Sequence, residues 1–400
     1  MKPVEIKKDI YWVGVVDWDL RYFHGPSYTT HRGTTYNSYL ILDDQVTLVD
    51  TVYAPFAGEL LERIKKVVDP ARIENIVVNH IETDHSGALP EVMKAAPGAR
   101  IYCTAKAREG LIKHYGGAEW DYRVVKTGQE LSTGRRTLSF IEAPMLHWPD
   151  SMFTYIREEA LLLPNDAFGQ HLATSGRFDD QVDNFILMEE AAKYYANILY
   201  PLSGLVAKKL KEVEGLNIPI EMIAPSHGVI WRTDPGQIIE AYRRWSGGEW
   251  KEKALVVYDT MWGSTETMAR YITEGLSAGG VETRLYKLSA SDHSDIYKEL
   301  LETRLLVVGS STIHRQFIST LSPFLDGLIG LKPLNRLGAA FGAYGWSRGA
   351  VKGIEERLAA AGIQLAQESL EILWVPDGKE RERCFQWGLA LAGLVKEAKA

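Results

Sequence analysis

The chain has 400 residues, 46% hydrophobic and 24% charged, with a formal net charge of −7. That length supports two or three domains with cores of their own, and the acidic balance argues against nucleic acid as a main partner. Cys103 and Cys384 lie far apart with no CxxC spacing, which excludes a disulfide framework and a cysteine-held iron–sulfur site.

MKPVEIKKDIYWVGVVDWD at the start lacks the unbroken apolar core and cleavage site of a signal peptide. No later stretch approaches the roughly 20 apolar residues of a membrane helix. A cytoplasmic protein without a membrane partner is expected. YNSYLILDD and QVTLVDT then predict a hairpin around an Asp-Asp turn. FAGELLERIKKVV has helical spacing at Leu60, Leu61, Ile64 and Val67, and IENIVV predicts a buried strand. Further strands are expected at ARIYCT, TLSFIEA, FTYIREEALLLP and IEMIAP, with helices over about 185–215. Strand pairs mixed with helices predict an αβ sandwich. A Ser-Gly-Gly break near Gly247 to Lys253 marks a boundary, giving domains at 1–249 and 250–400. Beyond it ALVVYD, ETRLYKL, LLVVGSS, LGAAFGAY and EILWV alternate with helical segments, as in a doubly wound parallel sheet.

In HIETDHSG, directly after the apolar IENIVV run, His80, Glu82, Asp84 and His85 crowd into six positions. Extended backbone would set His80, Glu82 and Asp84 on one side, with His85 at the Ser86-Gly87 bend. His147, Asp166 and His227 each follow an apolar run, so all three sit at expected strand ends. Such ends converge at one edge of a sandwich, and the total suffices for two metal ions sharing a carboxylate. A mixed imidazole and carboxylate shell suits redox-active iron, whereas hydrolytic zinc sites favour more histidine. Taken singly, a strand-end histidine is more often structural; the constellation is not.

VVYDTMWGSTETMA reads strand, loop, helix, with the helix starting near Glu266 and hydroxyls at Thr260, Ser264 and Thr265. Loop amides at a helix N-terminus bind a phosphate monoester without lysine. The absence of both Gly-Lys-Ser/Thr and GxGxxG favours a flavin mononucleotide over ATP or NAD. VVGSSTIHRQF and AAFGAYGWSRG supply two more strand ends, and Trp262, Tyr344 and Trp346 can flank an aromatic ring. Candidate FMN contacts are Thr260, Met261, Trp262, Gly263, Ser264 and Thr265 in the first loop. Ser311, Thr312, Ile313 and His314 follow in the second, and Ala343, Tyr344, Gly345 and Trp346 in the third.

Together GTTYNSYLI, NHIETDHSGALP, PMLHWPDSMFTY, LLLPNDAFGQH, KYYANIL, APSHGVIW, YDTMWGSTETMA and AFGAYGWS resemble the flavodiiron proteins along essentially the whole chain. The resemblance implies a metallo-β-lactamase-like αββα sandwich followed by a flavodoxin-like doubly wound sheet, an α/β protein throughout. It implies one iron on His80, Glu82 and His147, and another on Asp84, His85 and His227, bridged by Asp166. In that family the histidine at the place of His85 need not bind metal, so its ligation stays open. The implied cofactors are FMN and two non-haem irons. The implied activity is reduction of dioxygen to water, of nitric oxide to nitrous oxide, or both, in head-to-tail homodimers that can pair further. His24 and Trp148 are candidates for the substrate pocket, with packing as the competing reading.

No rubredoxin, NADH-binding or iron–sulfur segment follows within the chain, so an external donor is expected: rubredoxin, a flavoprotein reductase or reduced deazaflavin. Competing readings are a metal-dependent hydrolase, against which Glu82 and the flavodoxin-like half weigh, and a non-catalytic flavin carrier, against which the full ligand set weighs. One departure concerns the second flavin loop. Ser311 stands where relatives commonly carry proline, and His314-Arg315 where they carry asparagine. Added positive charge there is expected to favour the anionic reduced flavin and raise its potential.

Overall fold

The computed structural model describes residues 2–397. Contacts divide them into two compact units: residues up to Tyr194 with Gly204–Arg243, and Tyr195–Ser203 with Arg244 onward.

Two mixed sheets build the first unit. The larger orders Val4–Lys7, Ile10–Trp12, Tyr39–Ile41, Val46–Val49, Ile73–Val77, Arg100–Cys103 and Asp121–Val124. The smaller orders Glu130–Ser132, Thr137–Glu142, Met152–Ile156, Leu161–Leu163 and Met222–Ile223. Alternation along the strands fills two cores. Tyr39, Ile41, Val49 and Val77 face Leu138, Phe140, Met152 and Leu161 between the sheets. Leu40, Leu48 and Ile76 point the other way, onto Leu60 and Ile64 of helix Ala57–Lys65 and Leu89 and Val92 of helix Leu89–Ala95. The hairpin pairs antiparallel with Tyr39 opposite Val49, as its sequence implies.

FTYIREEALLLP, expected as one strand, is two. Met152–Ile156 and Leu161–Leu163 pair antiparallel across a 3₁₀ turn at Arg157–Glu159, with Ala160 at φ 46° reversing the chain. Residues 185–215 are helical but interrupted: Asn184–Tyr194 runs into a π turn at Tyr195–Leu199 and a 3₁₀ turn at Tyr200–Leu202, before Ser203–Gly215. Pro201 explains the break, since proline supplies no amide hydrogen to a helix.

In the second unit a parallel sheet orders Glu282–Lys287, Lys251–Asp259, Thr303–Ile313, Leu337–Tyr344, with Gln364–Leu365 and Leu370–Leu373 both flanking the last. The order second, first, third, fourth, fifth is that of a flavodoxin, and it places the topological switch between the first and third strands. All five expected strands are present. Among the described residues no helix is long and apolar enough to cross a membrane.

Candidate metal centre and flavin cleft

The strand Ile73–Val77 ends three residues before His80, and the following backbone does not stay extended. Thr83–Ser86 forms a helical turn, fixed by the Ser86 hydroxyl donating to the Ile81 carbonyl at 2.6 Å and the His85 amide donating to the Glu82 carbonyl at 2.9 Å. The expectation of one common face for His80, Glu82 and Asp84 is therefore corrected. The turn sends Glu82 and Asp84 to different groups of histidines.

Glu82 Oε2 lies 3.4 Å from His80 Nε2 and 3.1 Å from His147 Nε2. Asp84 Oδ2 lies 3.3 Å from His85 Nε2 and 3.1 Å from His227 Nε2. Asp166 stands between the groups. Its Oδ2 is 3.6 Å from His80 and 3.2 Å from His147, whereas its Oδ1 is 3.0 Å from His85 and 3.5 Å from His227. All seven residues expected from the sequence thus converge, four around one point and three around another, with one Asp166 oxygen facing each.

These atoms are buried, yet His80 Nε2, His85 Nε2, His147 Nε2, His227 Nε2, Glu82 Oε2 and both Asp84 oxygens have no hydrogen-bond partner among the described residues. Buried polar groups are seldom left so, and a cluster of them converging on two points fits metal ions. Electrostatics agree. Burial pushes the Asp166 carboxyl up, but His85, His147 and His80 outweigh it and hold it well below the usual carboxylate range. Burial lowers His85, while Asp84 and Asp166 hold it up at about 9. Carboxylates and imidazoles here exchange charge with one another in the place that cations would take.

Outer contacts set the ring orientations. Asp150 Oδ2 accepts from the Ile81 amide at 2.9 Å and lies 3.0 Å from His80 Nδ1. The Thr35 carbonyl accepts from His227 Nδ1 at 2.7 Å, with the Thr34 hydroxyl at 3.3 Å. Each contact puts the proton on Nδ1 and frees Nε2 toward the centre. His85 Nδ1 has no such partner among the described residues. Asp50, buried with φ 55°, joins the ligand-bearing loops: its carboxylate accepts from the Asn79 amide at 2.7 Å, from Asn79 Nδ2 at 3.0 Å and from Asn165 Nδ2 at 3.2 Å. Asn165, at φ 53°, precedes Asp166 and reverses the chain there.

His24 Nε2 lies 3.1 Å from Glu82 Oε1 and its side chain is part exposed, at the edge of the cluster. Trp148 stacks edge-on against His80, with ring centroids 5.1 Å apart, and packs into the helix-side core. It supports the His80 ring. The sequence reading missed Asp150 and His171. His171 is fully buried, 2.8 Å through Nδ1 from the Thr34 hydroxyl, and beside Phe23 and His227. Burial and His227 hold it well below the usual histidine range, hence neutral. Both sit inside motifs quoted above, HWPD and FGQH, and only their neighbours had been singled out.

In the second unit, helix Ser264–Ala278 begins after Gly263, whose φ of 89° lets the loop turn its amides toward the helix end. The start falls two residues before Glu266. The Thr260 hydroxyl accepts from the Gly263 amide at 3.0 Å, and Ser311 Oγ accepts from the Met261 amide at 3.2 Å and pairs with Thr265 Oγ1 at 3.0 Å. Serine in place of proline thus ties the first loop to the second. Met261, Thr312, Ile313, His314, Gly345 and Trp346 line a cleft of about 380 Å³, with Arg315 beside them. Trp262 and Trp346 are 87% and 94% exposed, an arrangement that suits a flat aromatic ligand. Ala343 is buried in the sheet, and Tyr344, at the end of the same strand, carries Arg348 over its ring.

A sandwich that brings two carboxylate-bridged histidine groups to one edge, followed by a flavodoxin-type sheet, defines a flavoprotein with a two-metal centre. Comparison with known proteins places it further. Residues 34–228 match the ODP family beta lactamase model and residues 256–388 the flavodoxin model. The nitric oxide reductase of Moorella thermoacetica is 56% identical over 397 residues, covering 99% of this chain and 100% of that one. Rubredoxin oxygen:oxidoreductase from Desulfovibrio gigas superposes with a TM-score of 0.97 at 35% identity, over 100% of both chains. The flavodiiron protein of Giardia intestinalis gives 0.96 at 34%, over 99% and 97%. The chain belongs to the flavodiiron proteins. It is an oxidoreductase whose cofactors are FMN and a diiron centre.

Proposed function

We propose that the protein reduces nitric oxide, dioxygen or both at the diiron centre, with electrons entering through FMN from a separate donor protein or small reductant. One observation carries this: Asp166 directs one oxygen to each histidine group, so two metal ions bound there would share one carboxylate and act on one diatomic molecule. His80, Glu82 and His147 would hold one iron, and Asp84, His85 and His227 the other. The Moorella thermoacetica and Desulfovibrio gigas relatives support the gas substrates, since their names specify nitric oxide and oxygen.

When bound, iron and FMN supply reversible one- and two-electron chemistry. The chain does the rest. Three carboxylates, Glu82, Asp84 and Asp166, offset most of the charge of two divalent cations and ease the gain of further positive charge. Asp150 and Thr35 hold His80 and His227 with Nε2 inward. His24, part exposed and hydrogen-bonded to Glu82, is placed to pass protons from solvent to the centre. Neutral His171, with Phe23, covers the His227 side and limits water there.

The head-to-tail dimer, in which one subunit's flavin serves the partner's irons, belongs to the same proposal. A reducing, cytoplasmic setting does as well, in keeping with the free thiols of Cys103 and Cys384. The test is anaerobic. Protein with full iron and FMN content, chemically reduced, is mixed with each gas in turn. Consumption of at least one is expected; consumption of neither sinks the proposal.

A further inference from the structure

A second cavity lies in the first unit, on the side of the smaller sheet away from the larger one. It measures about 280 Å³ and lies between strand residues Phe153 and Leu162 and the helices Ser203–Gly215 and Pro235–Gly247. Leu146, Ala167 and Phe168 form one end of its wall. Leu146 is the residue before His147, and Ala167 and Phe168 are the two after Asp166. The cavity therefore backs directly onto the two loops that deliver a histidine and the bridging carboxylate.

Its polar side chains are engaged with partners along its rim. Lys209 Nζ donates to the Glu142 carbonyl at 2.6 Å and to Glu212 at 2.7 Å, and Glu214 pairs with Arg243 at 2.6 Å. The Tyr242 hydroxyl accepts from the Phe168 amide at 2.8 Å. Most of what faces inward is aliphatic and aromatic carbon, from Val206, Leu210, Val213 and Ile239 among others. Water needs several polar partners to be held and finds few here, whereas an apolar cavity of even ~150 Å³ takes up benzene or xenon. Dioxygen and nitric oxide are small, weakly hydrated molecules of the kind such a space concentrates.

We propose that this cavity holds the diatomic gas substrate and delivers it to the diiron centre past Phe168 and Leu146. The proposal rests on the gas-reductase reading for the identity of its occupant, but its first test does not. Crystals of the intact holoprotein, or the protein in solution under xenon, are expected to show xenon between Val206, Leu210 and Phe168, by anomalous scattering or by xenon chemical shift. Val206→Phe and Leu210→Trp, which fill the space from two sides, are expected to abolish that binding. Both are also expected to lower kcat/KM for the gas by about threefold or more with kcat unchanged, because delivery and not chemistry is slowed. Two variants are used so that a folding defect in one, seen as lost iron or FMN, leaves the other to decide. Absence of xenon overturns the proposal. So does xenon binding with kcat/KM untouched in both filled variants, which would make the space a packing gap. If the wild-type protein consumes neither gas, the functional reading fails instead, and xenon binding still reports separately on the cavity.

Discussion

Asp150 touches no expected metal position, yet its removal should weaken one half of the centre in a graded way. A single oxygen, Oδ2, serves both His80 Nδ1 and the Ile81 amide, and the side chain is buried. Asp150→Asn can place its carbonyl oxygen at that position and keep both contacts. What it loses is charge: a bond to an ionised group contributes about 1.5–3 kcal/mol, a neutral one about 0.5–1.5. The difference, roughly 1.4 kcal/mol, corresponds to about tenfold in iron affinity. Asp150→Ala removes the acceptor. The Ile81 amide is then unsatisfied with or without metal, so that part lowers folding stability by about 1–3 kcal/mol and leaves affinity alone. Freed from its anchor, the His80 ring can turn Nε2 away, and affinity should fall toward the ~100-fold end of the range for outer-sphere partners. Anaerobic competition for ferrous iron against a chromogenic chelator measures the affinity, and thermal unfolding of the iron-free protein separates the stability term. Equal losses for Asn and Ala, or no loss for Ala, would refute the reasoning that charge and orientation act separately.

Stability of the iron-free protein should depend on pH. His85 stands at about 9 when folded against about 6.5 for an ordinary histidine, so the folded state binds the proton more tightly. The stabilisation is full below about pH 6.5 and is lost as pH rises through about 9, roughly 3 kcal/mol at ~1.4 per unit. Iron-free protein should therefore melt lower at pH 9 than at pH 6, and loading with iron should remove that slope; a flat profile without iron contradicts it. The hairpin pairing Ile313 with Gln316 turns on His314 and Arg315 alone, both left-handed at φ 50° and 59°. Such two-residue turns favour Asn-Gly. The pair His314→Asn and Arg315→Gly should stabilise FMN-free protein by about 1–2 kcal/mol in thermal melts, most of it from Arg315→Gly, since one left-handed non-glycine residue costs about that much; a lower melting point would count against it. Arg315→Gln alone keeps the turn and should lower the flavin potential in a redox titration, and an unchanged potential would show that the charge does not reach the ring. Gly87→Ala would set a methyl 2.4 Å from the Thr83 carbonyl and 2.7 Å from the Ala54 amide, both backbone. Loss of bound iron together with a folding stability lowered by ~3 kcal/mol or more is expected, and intact iron content would show that the loop yields.

The seven convergent residues were legible because each follows an apolar run, and strand ends collect at a sheet edge. The flavin loops were legible for the same reason, from five apolar runs spaced by helices. Local geometry was less so. Four residues of helix at Thr83–Ser86 are too few for a period to show, and the turn depends on the Ser86 hydroxyl reaching back to Ile81. The break at Arg157–Glu159 is similar, being set by Ala160 in a conformation that alanine seldom takes. Asp150 and His171 carry no spacing signal. They matter because tertiary register brings one to His80, 70 positions earlier, and the other to Thr34, 137 positions earlier.

The two metal groups differ in how firmly they are held. His80 has a carboxylate behind it and Trp148 against its face, and His227 has a backbone carbonyl that no rotamer can withdraw. His85 has only its neighbours' rings, His227 at 4.8 Å and His80 at 5.8 Å, and an Nδ1 without a partner among the described residues. An imidazole lacking that second contact is the one whose ring can turn at least cost, because no outer hydrogen bond is broken. Its Nε2 nevertheless lies 3.0 Å from the bridging carboxylate, closer than any other ligand histidine. The geometry aims His85 Nε2 at the bridging carboxylate and at Asp84, with no outer hydrogen bond among the described residues to fix the ring. An imidazole held in this way would leave one side of a two-metal site free to adjust while the other stays fixed.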